Sequence, residues 1–196
     1  MTHFEPFDFR LDPRRAVQAA GFLLRLHGRP MGRMRLLKLL YLADRESMRL
    51  CGRPIVGGHY ANMDNGPILS EVYNLIKAET LVGADLWDKH IALAEHPKVK
   101  LIAETSTDCL SETDQNFLKQ FHQMFEGRSD SAVWQYVHDP RVVPEYRQPP
   151  AGSSTPIATA EILKAVGKSS KEIAEIASMV AESAVLDGLV DETDEE

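Results

Sequence analysis

The side chains in this chain best suited to chemistry are seven histidines, two cysteines and a lysine set in an apolar stretch. A zinc site needs His or Cys ligands at short spacings such as HxxxH, HExxH or CxxC. His59, His90, His96, His122 and His138 show no such spacing, and Cys51 and Cys109 are far apart in the chain. No metal site is expected, and hydrogen-bonded or surface histidines account for the pattern. A nucleophile pair of Cys51 and His59 would need a third group to orient the histidine, and none is evident. Two unpaired cysteines give no disulfide framework and suit a reducing compartment. Gly57-Gly58 and Gly66-Pro67 match neither a phosphate loop nor a dinucleotide fingerprint, so no cofactor is expected. The sequence offers no catalytic constellation.

Lys38 is harder to place. Residues 36–46 read LLKLLYLADRE, in which Lys38 interrupts seven apolar neighbours. Such a lysine is either a group activated by desolvation or one whose stem lies along apolar surface while its amine reaches water. On a helix, Arg35, Lys38, Arg45 and Arg49 fall at i, i+3, i+10 and i+14, within one angular sector, with Asp44 and Glu46 off it. The expected result is a basic edge on a core helix. It could meet phosphates, an acidic partner surface, or acids from the C-terminal third. Only Tyr41 among the aromatics accompanies the stripe, which favours a protein partner over stacking on nucleic-acid bases.

Charge is distributed unevenly. Residues 1–56 hold eleven Lys/Arg against five Asp/Glu, residues 57–156 eight against fourteen, and residues 157–196 three against ten, giving +6, −6 and −7. The acidic end argues against a nucleic-acid sleeve along the whole chain. No apolar run approaches the 18 or more residues of a membrane span, and the start, MTHFEPFDFRLDPRR, shows no secretory pattern.

The elements that must position these groups are mostly helical. Asp12-Pro13 is a helix opening and Gly28 a stop. A second helix, about 31–50, is apolar almost all round from Leu36 to Ala43 and ends at Gly52 and Pro54, as a central core helix would. RPIVGGHYANMDNGP suits a turn with a short extended segment, and Pro67 is read as the start of the helix through SEVYNLIKAE. HIALA (90–94) and KVKLIAE (98–104) read as an antiparallel hairpin. Further helices are expected from Ser111 to Gly127, from Ser129 through Val137, near 158–166, and from the capping box Ser169-x-x-Glu172 onward, with 139–156 irregular and DETDEE frayed. The fold class is α+β, mostly helical, with a small antiparallel sheet.

KLLYLAD (38–44) followed by GRPIVGGHYANMDNGPILSEVYNLI (52–76) resembles the SocA-like, or Panacea, antitoxin domain. The likeness continues through LSETDQNFLKQFHQMFEG, Trp134 with His138-Asp139-Pro140, and PIATAEILKAVG. It implies a domain over 1–167, with 168–196 as an appended helix and acidic tail. It also implies a cytoplasmic, bacterial or phage-associated protein that is not an enzyme. Its partner would be a cognate toxin encoded next door, and the SocA branch further implies an adaptor that delivers that toxin to the ClpXP protease. A nucleic-acid-binding regulator using the basic stripe is the alternative. The candidate partner-binding residues are Arg35, Lys38, Arg45 and Arg49 on the helix, with His59, Tyr60, Asn62 and Asn65 on the polar segment.

Overall fold

The computed structural model describes residues 7–79 and 82–193. Within them α1 (Pro13–His27) opens on Asp12, whose carboxylate accepts from the backbone N–H groups of Arg14 and Arg15, and closes on Gly28. Caps of this kind contribute about 1 kcal/mol each. The short β1 (Met31–Gly32) leads into α2 (Arg33–Cys51), the central element, which packs on α1 and on several of the strands and helices that follow. Leu36, Leu37, Leu39, Leu40, Tyr41 and Ala43 are all buried, as expected of a helix apolar almost all round.

Next come β2 (Tyr60–Met63) and β3 (Gly66–Leu69), a hairpin joined by Asp64-Asn65, and then α3 (Ser70–Ile76). Pro67 therefore lies in a strand, three residues before the helix it was expected to start. The segment expected to be only extended is preceded by a further helix, α4 (Ala84–His90), which buries Trp87. The hairpin after it forms as expected from β4 (Ile91–Leu93) and β5 (Lys98–Leu101).

α5 (Glu112–Met124) opens on a Ser111/Asp114 capping box, and α6 (Asp130–Val137) follows. The irregular segment ends in β6 (Ser154–Ile157), and α7 (Thr159–Ala165) and α8 (Ser170–Thr193) close the chain. Two three-stranded antiparallel sheets result, ordered β1-β5-β4 and β3-β2-β6. The architecture is α+β and mostly helical.

α8 buries Ile173 and Ile176 against the body, while residues 181–185, including Ala184 of its expected apolar stripe, are exposed. Of the end expected to fray, 191–193 continue α8 and 194–196 lie outside the described residues. Among the described residues no helix is long and apolar enough to cross a membrane.

Candidate functional site

Four polar side chains of α2 point inward from one face. Lys38, Tyr41, Asp44 and Arg45 follow at spacings of three, three and one, which stacks them along a single side of the helix. Each is spent on a specific partner, because a polar group buried without one costs a large desolvation penalty.

Asp44 is fully buried. Its carboxylate accepts from the backbone N–H of Ile55 at 3.0 Å, Val56 at 2.9 Å and Gly57 at 3.2 Å, and from the Tyr60 hydroxyl at 2.8 Å. It thus folds the Gly-rich loop around itself and fixes the start of β2. Burial pushes the carboxyl up to about 6, against the pull of these four hydrogen bonds. At neutral pH it is still an anion.

Tyr41 donates to Glu145 at 2.7 Å, and Arg45 reaches the same carboxylate at 2.6 Å. Glu145 is buried too, and this pair anchors the irregular segment after α6 to the core helix. The β2–β3 hairpin adds further ties. Asn62 accepts from the Arg147 backbone N–H at 3.2 Å, Tyr146 donates to the Met63 carbonyl at 3.2 Å, and Asp64 accepts from the Gly152 N–H at 2.9 Å. Removing one partner of a buried ion pair leaves the other uncompensated. Glu145→Gln is therefore expected to cost about 2–4 kcal/mol by urea denaturation, whereas Arg49→Gln, which breaks an exposed pair with Glu46, should change stability by less than about 0.5 kcal/mol.

Lys38 is 2% exposed, and its Nζ donates to the Pro67 carbonyl at 2.7 Å. Burial lowers its pKa to about 7. The amine meets β3 where Gly66 lies, at φ +95°. A Cβ there would stand 2.9 Å from Val137 Cγ2, 3.0 Å from His138 Cε1 and 3.3 Å from Lys38 Nζ, so only glycine fits. The Asn-Gly-Pro turn is shaped to bring backbone against the lysine.

This geometry corrects the expected basic edge. Arg35 is buried, bonding Asp130 at 2.6 Å and the carbonyls of Phe125 and Arg128. Lys38 and Arg45 face inward, and Arg49, the exposed one of the four, pairs with Glu46. The sector that suggested phosphate binding is therefore not a free cationic surface. Of the polar-segment candidates, Tyr60 and Asn62 are buried, while His59 and Asn65 are exposed. Glu71 accepts from the His59 backbone N–H and bonds the ring Nδ1, and the second of these hydrogen bonds raises the imidazole's pKa.

Sequence reasoning missed Tyr41, Asp44 and Glu145 as determinants. The available signal was the recurrence of polar types at i, i+3 and i+6 in a helix with no solvent-facing stripe, which obliges them to find internal partners. A third buried carboxylate, Asp114, does similar work between α1, the 52–56 loop and α5. It takes Arg15 at 2.9 Å and Arg53 at 3.2 Å. Burial alone would raise this carboxyl, but its hydrogen bonds with Arg53 and Ser111 hold it below its ordinary range. Among the described residues no group of three or more His, Cys, Asp or Glu is placed to hold a metal ion.

The family model described as Antitoxin SocA-like, Panacea domain matches residues 36–142, more than half of the chain. The match takes in α2 from Leu36 onward, with Lys38, Tyr41, Asp44 and Arg45, the loop that Asp44 organises, the β2–β3 hairpin, and α3 through α6. No curated protein and no solved structure matches the chain at a significant level.

Proposed function

The chain belongs to the SocA-like antitoxin family, built on the Panacea domain, and on that premise we propose that it neutralises a toxin protein by binding it directly. The family match over residues 36–142 carries this reading. The side chains that make up the family-like KLLYLAD block work inward, on the loop, on β3 and on Glu145. Partner choice then falls to exposed positions outside that block, among them His59, Asn65 and Trp134.

In this reading the partner is a cognate toxin encoded beside it, the protein works in the cytoplasm of a bacterium, and the gene travels with phage-derived DNA. It performs no catalysis. Delivery of the bound toxin to ClpXP is the further step, with residues 1–167 as the binding domain and the helix and acidic tail of 168–196 as the part that varies with the partner.

Co-expression tests the proposal. The product of the neighbouring gene, toxic alone, should become harmless when this chain is present, and the two should co-purify. A harmless neighbour, or one that is neither bound nor neutralised, sinks the reading. If ClpXP takes part, the toxin's half-life should shorten with this chain and lengthen again in cells lacking the protease.

A further inference from the structure

Beside the buried end of Lys38 lies a pocket of about 380 Å³, between the start of α2, the Asp64-Asn65 turn and α6. Its walls are apolar: Met34, Pro97, Val133 and Trp134. Trp134 is 44% exposed, a large apolar ring left at a rim, and it is stacked on His138 at 3.9 Å. The polar lining is cationic. Arg33, Arg35 and Lys38 contribute to it against one carboxylate, Asp130, and Asp130 is already bonded to Arg35. Among the described residues neither Arg33 nor Lys38 forms an ion pair, and Arg33 Nε is buried with no hydrogen-bond partner. α2 begins here with no acidic residue in its first turn and no side-chain cap, so its positive end adds to the same field. A buried amine and a guanidinium whose buried Nε has no partner, set beside apolar walls without an ion pair, are groups that an anion would complete.

We propose that this pocket binds a free carboxylate attached to an apolar residue, and that its source is the C-terminal end of a protein partner. The volume decides for a chain end over an Asp or Glu side chain. A carboxylate alone would leave the Trp134 and Met34 walls wet, whereas a terminal apolar residue covers them while its carboxylate reaches the cations. Asn65, exposed and lining the same pocket, offers a side-chain amide to the peptide group that precedes the terminal residue. The proposal rests on the antitoxin reading only for who the partner is. Apolar peptides can be tested with no toxin present.

The probe is a set of N-acetylated tetrapeptides ending in leucine, valine, methionine or phenylalanine, each as free acid and as amide, titrated into the full chain by calorimetry. At least one acid should bind, and its amide should bind at least tenfold more weakly. Lys38→Met should weaken the acid to the level of the amide. Ser131→Trp, at an exposed position lining the pocket, should fill the site and abolish binding while the thermal melt stays unchanged. That second variant keeps the test decisive if Lys38→Met does not fold. No binding of any acid, equal binding of acid and amide, or unaltered binding to a folded Ser131→Trp protein overturns the proposal. So does equal binding of 3-phenylpropionate, which would make the pocket a small-acid site. Peptide binding together with failed toxin rescue would leave the pocket standing and remove only the antitoxin reading.

Discussion

Asp44→Asn is expected to destabilise the protein by about 3–5 kcal/mol, the largest effect of any single polar substitution in the core. The native carboxylate accepts four hydrogen bonds, three from consecutive backbone N–H groups and one from Tyr60. Asparagine keeps the shape but offers one acceptor oxygen and brings an NH₂ group toward donors that point at it. Two of the four buried donors then lose their acceptor, either the Gly57 N–H with the Tyr60 hydroxyl or the N–H groups of Ile55 and Val56, at about 1–3 kcal/mol each. Tyr60→Phe is the control. It deletes a single donor, leaves the loop bonds intact, and should cost only about 1 kcal/mol. Guanidinium unfolding followed by circular dichroism measures both. An Asp44→Asn protein within about 1 kcal/mol of the parent would mean that the loop does not depend on this carboxylate. A change in m-value alone would point instead to local loosening of the 55–60 loop.

How much of this was legible beforehand depended on whether the signal was local. The Asp12 cap, the Gly28 and Gly52 stops, the helix start at Ser111 and the hairpin around Pro97 are local chemistry, and each appeared where the residues put it. α4 was missed because ADLWDKH offers only the adjacent pair Leu86-Trp87 and no stripe to count. Pro67 was misread because a proline before SEVY looks like a first-turn residue. Its strand pairing with Asn62 comes from the hairpin and from the lysine that holds its carbonyl. The basic sector of α2 failed for a deeper reason. Periodicity locates an exposed face by contrast with a buried one, and a helix enclosed on nearly every side has no such contrast. There a charged residue signals an internal partner, and Glu145, a hundred residues from Arg45, could not be paired with it from spacing alone. The pocket beside Lys38 is still less visible in sequence, since it joins residues from 32–38, 65, 97 and 130–134.

The stability of the protein should also rise with pH above neutrality, and Lys38 is the reason. Burial holds its pKa at about 7, against about 10.5 for a free lysine. Between those values the unfolded chain carries the proton and the folded chain does not. Raising the pH penalises the state that must bind the extra proton, the unfolded one, and so favours folding. The slope approaches about 1.4 kcal/mol per pH unit, so stability should climb by about 2 kcal/mol from pH 7 to pH 9. Below pH 7 Lys38 is protonated in both states and its contribution to the slope vanishes. Tyr41 and Tyr60 are raised well above their ordinary range by burial, so they titrate only in the unfolded chain near pH 10 and lower stability there. Measurements should stop at pH 9 for that reason. Lys38→Met removes the titrating group and leaves the Pro67 carbonyl without its donor. It should lose the rise with pH, lie close to the parent at pH 6.5, and fall below it by pH 9. Parallel urea titrations of the two proteins isolate the lysine, because every other titrating group is shared. Equal slopes from pH 7 to pH 9 would mean that Lys38 keeps its proton in the folded chain, with its amine reaching water.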